Sequence, residues 1–216
     1  MTFIFITLAF IGGIFICLKT QKLLSQREGA VGTAAKIIRA VPPFRKKQAA
    51  KNSKAAEDGD PEAQYRLGQA YHSGRGVKRD LQTAKYWYLK AAEQGHLPAQ
   101  IELASLFSRG PESERNLPEA VKWYRKAAEQ EDEFAQYELG SFYARGKGVK
   151  QNDTEALKWW RKAAEQGEMH AQCAVGSAYA KGKGVKQDYA EAVRWWKLAA
   201  ESGCWEALEK LEILHR

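Results

Sequence analysis

At 216 residues the chain holds one domain with appendages, and its formal net charge of +8 is unevenly placed. Residues 19–54 carry ten Lys and Arg against Glu28 alone, a balance of +9, so residues 55–216 sum to −1 and lack the basic footprint of a nucleic-acid-binding domain. Three cysteines without a CxxC pair and four histidines without an HExxH pattern exclude the common metal signatures.

The first element predicted is apolar. Residues 2–18 contain no charge, and as a helix they span about 25 Å, the short end of a bilayer crossing. A cleaved signal peptide needs a basic n-region and a small-residue cleavage site. No Lys or Arg precedes Lys19, and no small-x-small site follows at once. Ile16 before Cys17 does not suit a lipoprotein site. An uncleaved transmembrane helix over residues 1–18 is the expectation, with a cleaved signal as its alternative. The basic segment behind it should stay on the cytoplasmic side, placing the N-terminus outside and the rest of the chain in the cytoplasm. The same cations suit anionic lipid headgroups. Within the linker 19–44, residues 34–41 can form a short helix ended by Pro42-Pro43.

From Lys54 onward one pattern recurs. Lys90-Ala91-Ala92-Glu93-Gln94-Gly95 returns as Lys162-Ala163-Ala164-Glu165-Gln166-Gly167, with variants at Ala127 and Ala199, at a constant spacing of 36. Such a period signifies a stacked repeat array. In the first half of each copy, Ala63, Leu67 and Tyr71 recur as Ala99, Leu103 and Phe107, Ala135, Leu139 and Tyr143, and Ala171, Val175 and Tyr179. These positions lie at i, i+4 and i+8, one face of a helix. Gly68, Gly140 and Gly176 on that helix predict close approach of a neighbour with bulky side chains, since glycine otherwise costs about 1 kcal/mol there.

The second half supplies that neighbour. Ala84, Trp87, Tyr88, Ala91 and Ala92 define its apolar face, and six of the seven tryptophans fall in the two columns headed by Trp87 and Tyr88. Asp80, Asn116, Asn152 and Asp188 are N-cap residues, with Glu119, Glu155 and Glu191 as capping-box partners three residues on. Gly95, Gly167 and Gly203 suit the left-handed position after the helix. Gly74-Arg75-Gly76-Val77 and its copies at Gly146 and Gly182 read as a tight turn between the helices; they lack the longer phosphate-binding patterns. Copy two departs, with Gly110-Pro111-Glu112-Ser113 at the turn and Glu131 in place of the exit glycine, so both should differ in geometry there.

Half-copies bound the array. Lys54-Ala55-Ala56-Glu57-Asp58-Gly59 ends a second helix without its first, and Cys204-Trp205 opens a first helix without its second. The fold expected is therefore all-α: an α/α solenoid of four 36-residue helix–turn–helix repeats with half-repeat caps, plus one N-terminal transmembrane helix. Its parts are the transmembrane helix 1–18, the linker 19–44 and the solenoid 45–216. The solenoid comprises a cap over 45–59, repeats over 60–95, 96–131, 132–167 and 168–203, and a cap over 204–216.

The motif Ala-Gln-x-x-Leu-Gly-x-x-Tyr, Gly-x-Gly-Val, Ala-x-x-Trp-Tyr-x-Lys-Ala-Ala-Glu-x-Gly resembles the Sel-1-like repeat, a relative of the tetratricopeptide repeat, over about residues 54–216. The resemblance implies an α/α solenoid that serves as an adaptor for protein complexes, often tied to membranes, envelope processes or signalling. It also implies that the first helices line the concave face. The columns that vary there are Arg66, Glu102, Glu138 and Ala174; Gln69, Ser105, Ser141 and Ser177; and Ser73, Arg109, Arg145 and Lys181. Arg66, Gln69, Glu102, Ser105, Arg109, Glu138, Ser141, Arg145, Ser177 and Lys181 are the candidate partner-binding residues, with simple solvation as their plain alternative. Secreted relatives carry a cysteine pair in every repeat; this chain does not, which favours a reducing compartment. A Cys173–Cys204 bridge is the minor alternative. His72, His96, His170 and His215 occupy four different columns and read as surface residues.

No G-x-S-x-G, Walker loop or Cys/His dyad is present. The expectation is a non-enzymatic membrane-anchored adaptor for a protein or peptide, without cofactor, metal or nucleic acid. The alternative is an exported repeat protein of the envelope or of host contact. A hydrolase would need a nucleophile–base pair that the sequence does not offer.

Overall fold

The computed structural model describes residues 53–110, 112 and 115–214. The expected membrane helix, the linker and most of the first cap lie outside the described residues. No described helix is long and apolar enough to cross a membrane. Among the described residues the fold is all-α, a solenoid of repeated helix pairs without strands.

Two units divide the chain, residues 1–87 and 88–216. In the first, the helical residues 53–57 lead through Gly59, φ +102°, into α1 (Pro61–Ser73) and then α2 (Leu81–Glu93), which opens in this unit. Asp60 caps α1 by accepting from the Glu62 N–H at 3.1 Å. Buried Gln64 donates from Nε2 to the Ala56 carbonyl at 3.0 Å. Asp80 caps α2, accepting from the N–H groups of Gln82 and Thr83 and from the Thr83 hydroxyl.

The second unit repeats this scheme. Its helices are α3 (Leu97–Arg109), α4 (Leu117–Glu129), α5 (Glu133–Arg145), α6 (Asp153–Glu165), α7 (Met169–Lys181), α8 (Tyr189–Glu201) and α9 (Trp205–Leu214). The core is the expected one: Leu103, Leu139, Val175, Trp123, Tyr124, Trp159 and Trp196 are buried, with Trp160 and Trp195 partly so. Close approach at the glycine column is also observed. A Cβ on Gly140 would lie 2.5 Å from Trp160 Cδ1, and one on Gly176 would lie 2.6 Å from Trp196 Cδ1. The bare backbone lets each indole N–H reach a carbonyl of the facing helix, Trp160 to Tyr137 at 3.2 Å and Trp196 to Cys173 at 3.3 Å.

The N-caps form, but not as capping boxes. Asn116, Asn152 and Asp188 accept from the N–H of Glu119, Glu155 and Glu191 at 3.0–3.2 Å. Their own N–H groups donate instead to the carbonyls of Phe107, Tyr143 and Tyr179 on the preceding helix. The glutamates therefore have no cap N–H to accept from, and Glu191 accepts from the Trp195 indole N–H instead. Glu119 pairs with Lys122, Glu155 with Lys158 and Glu191 with Arg194.

Of the two departures expected in copy two, the turn differs and the exit does not. Gly110 is extended, φ −63° and ψ 176°, where Gly146 and Gly182 are left-handed. The exit does not differ as expected. Glu131 adopts φ +67°, and the turn closes as at Gly167, with its N–H on Ala128 and the Asp132 N–H on Ala127. The hydrogen bonds of the turn dictate the conformation, and the glutamate side chain tolerates it at a cost of about 1–2 kcal/mol.

A glutamine ladder links the pairs. Gln100, Gln136 and Gln172 each donate from Nε2 to the carbonyl eight residues back, Ala92, Ala128 and Ala164, at 3.2 Å. Their Oε1 atoms accept from the glutamine that ends the following helix, Gln130 to Gln100 at 2.6 Å and Gln166 to Gln136 at 2.9 Å. In the last copy that column holds Ser202, and buried Gln172 Oε1 has no partner.

Candidate functional site

Within the second unit the first helices of successive copies, α3, α5, α7 and α9, border two open clefts. One, of about 350 Å³, lies between α3 and α5 and is walled by Ser108, Arg109, Glu138, Ser141, Phe142 and Arg145. The other, of about 390 Å³, lies between α5, α7 and α9, with Trp160, Cys173, Ser177, Lys181, Glu206 and Lys210 on its walls. Tyr137, Ser141 and Arg145 border both. The reason is periodicity. Positions facing the helix partner are filled by Ala, Leu and Tyr, so the side chains one helical face away are left to line the space between copies.

Six of the ten candidate residues stand on these walls: Arg109, Glu138, Ser141, Arg145, Ser177 and Lys181. Arg109 and Glu138 form an ion pair across α3 and α5 at 2.7 Å. Ser177 turns its hydroxyl back onto the Cys173 carbonyl at 2.9 Å. Glu102 and Ser105 lie on α3 outside both clefts; the Ser105 carbonyl accepts from Ser108 Oγ at 3.1 Å. In the first unit Arg66 pairs with Glu62 at 2.5 Å, and Gln69 donates to the Tyr65 hydroxyl at 2.7 Å.

Other cleft residues carry no signal in the variable columns. His170 is exposed, as expected, and its ring lies against that of Tyr137 on the cleft wall, centroids 5.8 Å apart. His96 also has a structural task, its Nδ1 accepting from the Ala99 N–H at 3.3 Å as the N-cap of α3. Burial raises the Tyr137 phenol above its ordinary pKa, keeping it a neutral donor. Cys173 and Cys204 are both buried free thiols. Burial pushes the Cys173 thiol up, and nearby Lys210 only partly offsets this, so its environment does not favour a nucleophilic thiolate. Among the described residues no group of three or more His, Cys, Asp or Glu is placed to hold a metal ion.

The repeat itself decides the family. The Sel1 repeat matches four times in succession, over residues 61–96, 97–132, 134–168 and 170–204. The chain belongs to the Sel1-repeat family. Sel1-repeat proteins are generally protein-interaction scaffolds. Among solved structures, a protective antigen of uropathogenic Escherichia coli with this fold is 39% identical, at a TM-score of 0.71 over 75% of this chain and 35% of that one. A Sel1 repeat protein from Oxalobacter formigenes is 38% identical, at a TM-score of 0.67 over 82% of this chain and 70% of that one. This chain thus spans about a third of the length of the E. coli antigen. No curated protein matches it.

Proposed function

We propose that this Sel1-repeat protein is a non-enzymatic, membrane-anchored adaptor that holds a segment of a protein partner against its first helices. The observation that carries this reading is the pair of clefts between α3, α5, α7 and α9, where charged and polar side chains stand beside core residues such as Phe142 and Cys173. The partner-contacting residues are those of the variable columns, centred on Arg109, Glu138, Ser141, Arg145, Ser177 and Lys181. Residues 1–18 anchor the chain with the N-terminus outside, residues 19–44 lie along the cytoplasmic leaflet, and residues 45–216 form the solenoid in the cytoplasm. The free thiols of Cys173 and Cys204 accord with a reducing compartment. The likeness to a protective antigen favours a second reading, an exported repeat protein whose leader is removed.

Fusions of green fluorescent protein and of alkaline phosphatase to the C-terminus decide the topology. Fluorescence in the membrane fraction without phosphatase activity supports the adaptor. Phosphatase activity with a shortened N-terminus favours the exported reading. A photo-crosslinking residue at Ser177 or Lys181 of the full chain should then capture discrete partners in cells. One at Lys158, on a second helix, should not; equal capture there would count against the first-helix face.

A further inference from the structure

Charge is segregated in this solenoid. Residues 55–216 sum to −1, yet the two clefts have an excess of cations. Arg109, Arg115, Arg145 and Lys147 face the first cleft against Glu138. The second adds Lys181, Lys183 and Lys210 against Asp153 and Glu206. Seven cations and three carboxylates make +4 on this surface, which leaves −5 for the remainder of the segment.

The excess is not absorbed internally. Arg109 is engaged by Glu138 and Lys210 by Glu206, and Arg115 donates from Nε to the Gly110 carbonyl at 3.2 Å. Arg145, Lys147, Lys181 and Lys183 are exposed and have no ion-pair partner among the described residues. Arg145 and Lys181 end α5 and α7 at equivalent positions, and Lys147 and Lys183 sit in the turns just beyond. The cations therefore recur as a pair in the third and fourth copies, along one face.

We infer that the segment held by these clefts is an acidic stretch of a partner polypeptide, its carboxylates meeting Arg145 and Lys181 from successive repeats. This rests on the first-helix face being the partner surface. Three features favour a peptide over other polyanions. The clefts of about 350 and 390 Å³ are recessed between helices and suit side chains better than a flat bilayer. Their walls combine the hydroxyls of Ser141 and Ser177 with the apolar rings of Phe142 and Trp160. The interspersed carboxylates of Glu138, Asp153 and Glu206 can accept from backbone N–H groups, whereas a phosphodiester chain offers them only repulsion.

The test uses the full chain in nanodiscs of neutral phosphatidylcholine. Fluorescence anisotropy follows short labelled peptides in which Glu, Gln or Lys occupies the same positions, together with an oligothymidylate. Arg145→Gln with Lys181→Gln removes two cleft cations, and Lys158→Gln with Arg194→Gln removes two from second helices. Segment 19–54 is common to all three proteins, so only differences between them are read, with circular dichroism confirming equal folding. The Glu peptide should bind wild type, weaken about tenfold or more in the cleft variant, and change less than about twofold in the other. Equal binding of the Glu peptide to all three proteins would overturn the inference. Cleft-dependent binding of the Gln peptide as tight as that of the Glu peptide would retain the partner surface but reject acidic selectivity. Cleft-dependent binding of oligothymidylate in preference to the Glu peptide would make the ligand a nucleic acid.

Discussion

Copies two and three of the repeat share a core and differ at its seam. Leu103 and Trp123 in one, Leu139 and Trp159 in the other, are equally buried. At the seam, copy two has Ala104 and Tyr124 where copy three has Gly140 and Trp160. The difference shows a constraint in one direction: an indole in the facing column requires glycine, whereas a phenol accepts alanine in copy two and glycine, Gly68 with Tyr88, in the columns of copy one. An indole that must donate to a backbone carbonyl leaves no room for a Cβ, whereas copy two, with a phenol in that column, keeps its alanine. The exits teach the reverse. Glu131 and Gly167 differ in residue and agree in conformation, because the turn's hydrogen bonds decide it.

The largest expected effect tests the shared core. Trp123→Ala and Trp159→Ala should each lose about 3–5 kcal/mol, read from thermal or denaturant melts of the full chain. A loss in only one copy would end their equivalence. Next comes pH, which should separate the copies. Burial, with the Glu138 charge behind it, pushes the Tyr124 phenol up to about 12, and copy three has an indole in that column. A folded pKa above the unfolded one means that the neutral phenol's stabilisation is complete below about pH 10 and is lost as pH rises towards 12, at about 1.4 kcal/mol per pH unit. Tyr124→Phe should remove that part of the slope in melts between pH 9 and 12.

Gly140→Ala should cost about 1–3 kcal/mol, because the new methyl meets Trp160 at 2.5 Å. A neutral result would mean that the indole can move aside. Ser202→Gln should restore the missing partner of Gln172 and gain about 1 kcal/mol. Glu131→Gly should gain less than about 1 kcal/mol, since relief of the left-handed glutamate is offset by greater freedom of the unfolded chain. A loss there would show that the side chain has a contact of its own.

Much of this was legible in the sequence, for a specific reason. A fixed spacing places Trp123 and Trp159 in one environment, so the helix pairs, their N-caps and the buried Trp column follow from alignment of the chain with itself. What the columns could not carry was where the N-cap N–H groups donate. Tyr143 and Tyr179 offer carbonyls from across the turn, and so no capping box forms. Nor did they show that a glutamate would keep glycine's conformation at 131. For the candidate site, column variation pointed to ten residues, of which Arg109, Glu138, Ser141, Arg145, Ser177 and Lys181 line the clefts and Arg66, Gln69, Glu102 and Ser105 do not. It passed over Tyr137, whose column was not singled out, His170, which was read as a surface residue, and Lys210, which lies in the terminal half-copy. Only the packing of neighbouring first helices brings them to the same walls.

The glutamine ladder also bears on how such a chain changes length. Gln100, Gln136 and Gln172 each reach back eight residues, and Gln130 and Gln166 close the first two rungs, each within its own copy, while the Gln172 rung stays open. A duplication or excision of 36 residues between closed rungs leaves each of their amides facing a partner of the same kind. Inheritance can thus lengthen or shorten the array in whole copies without any contact being devised anew, while gain or loss of a few residues would throw the whole register out.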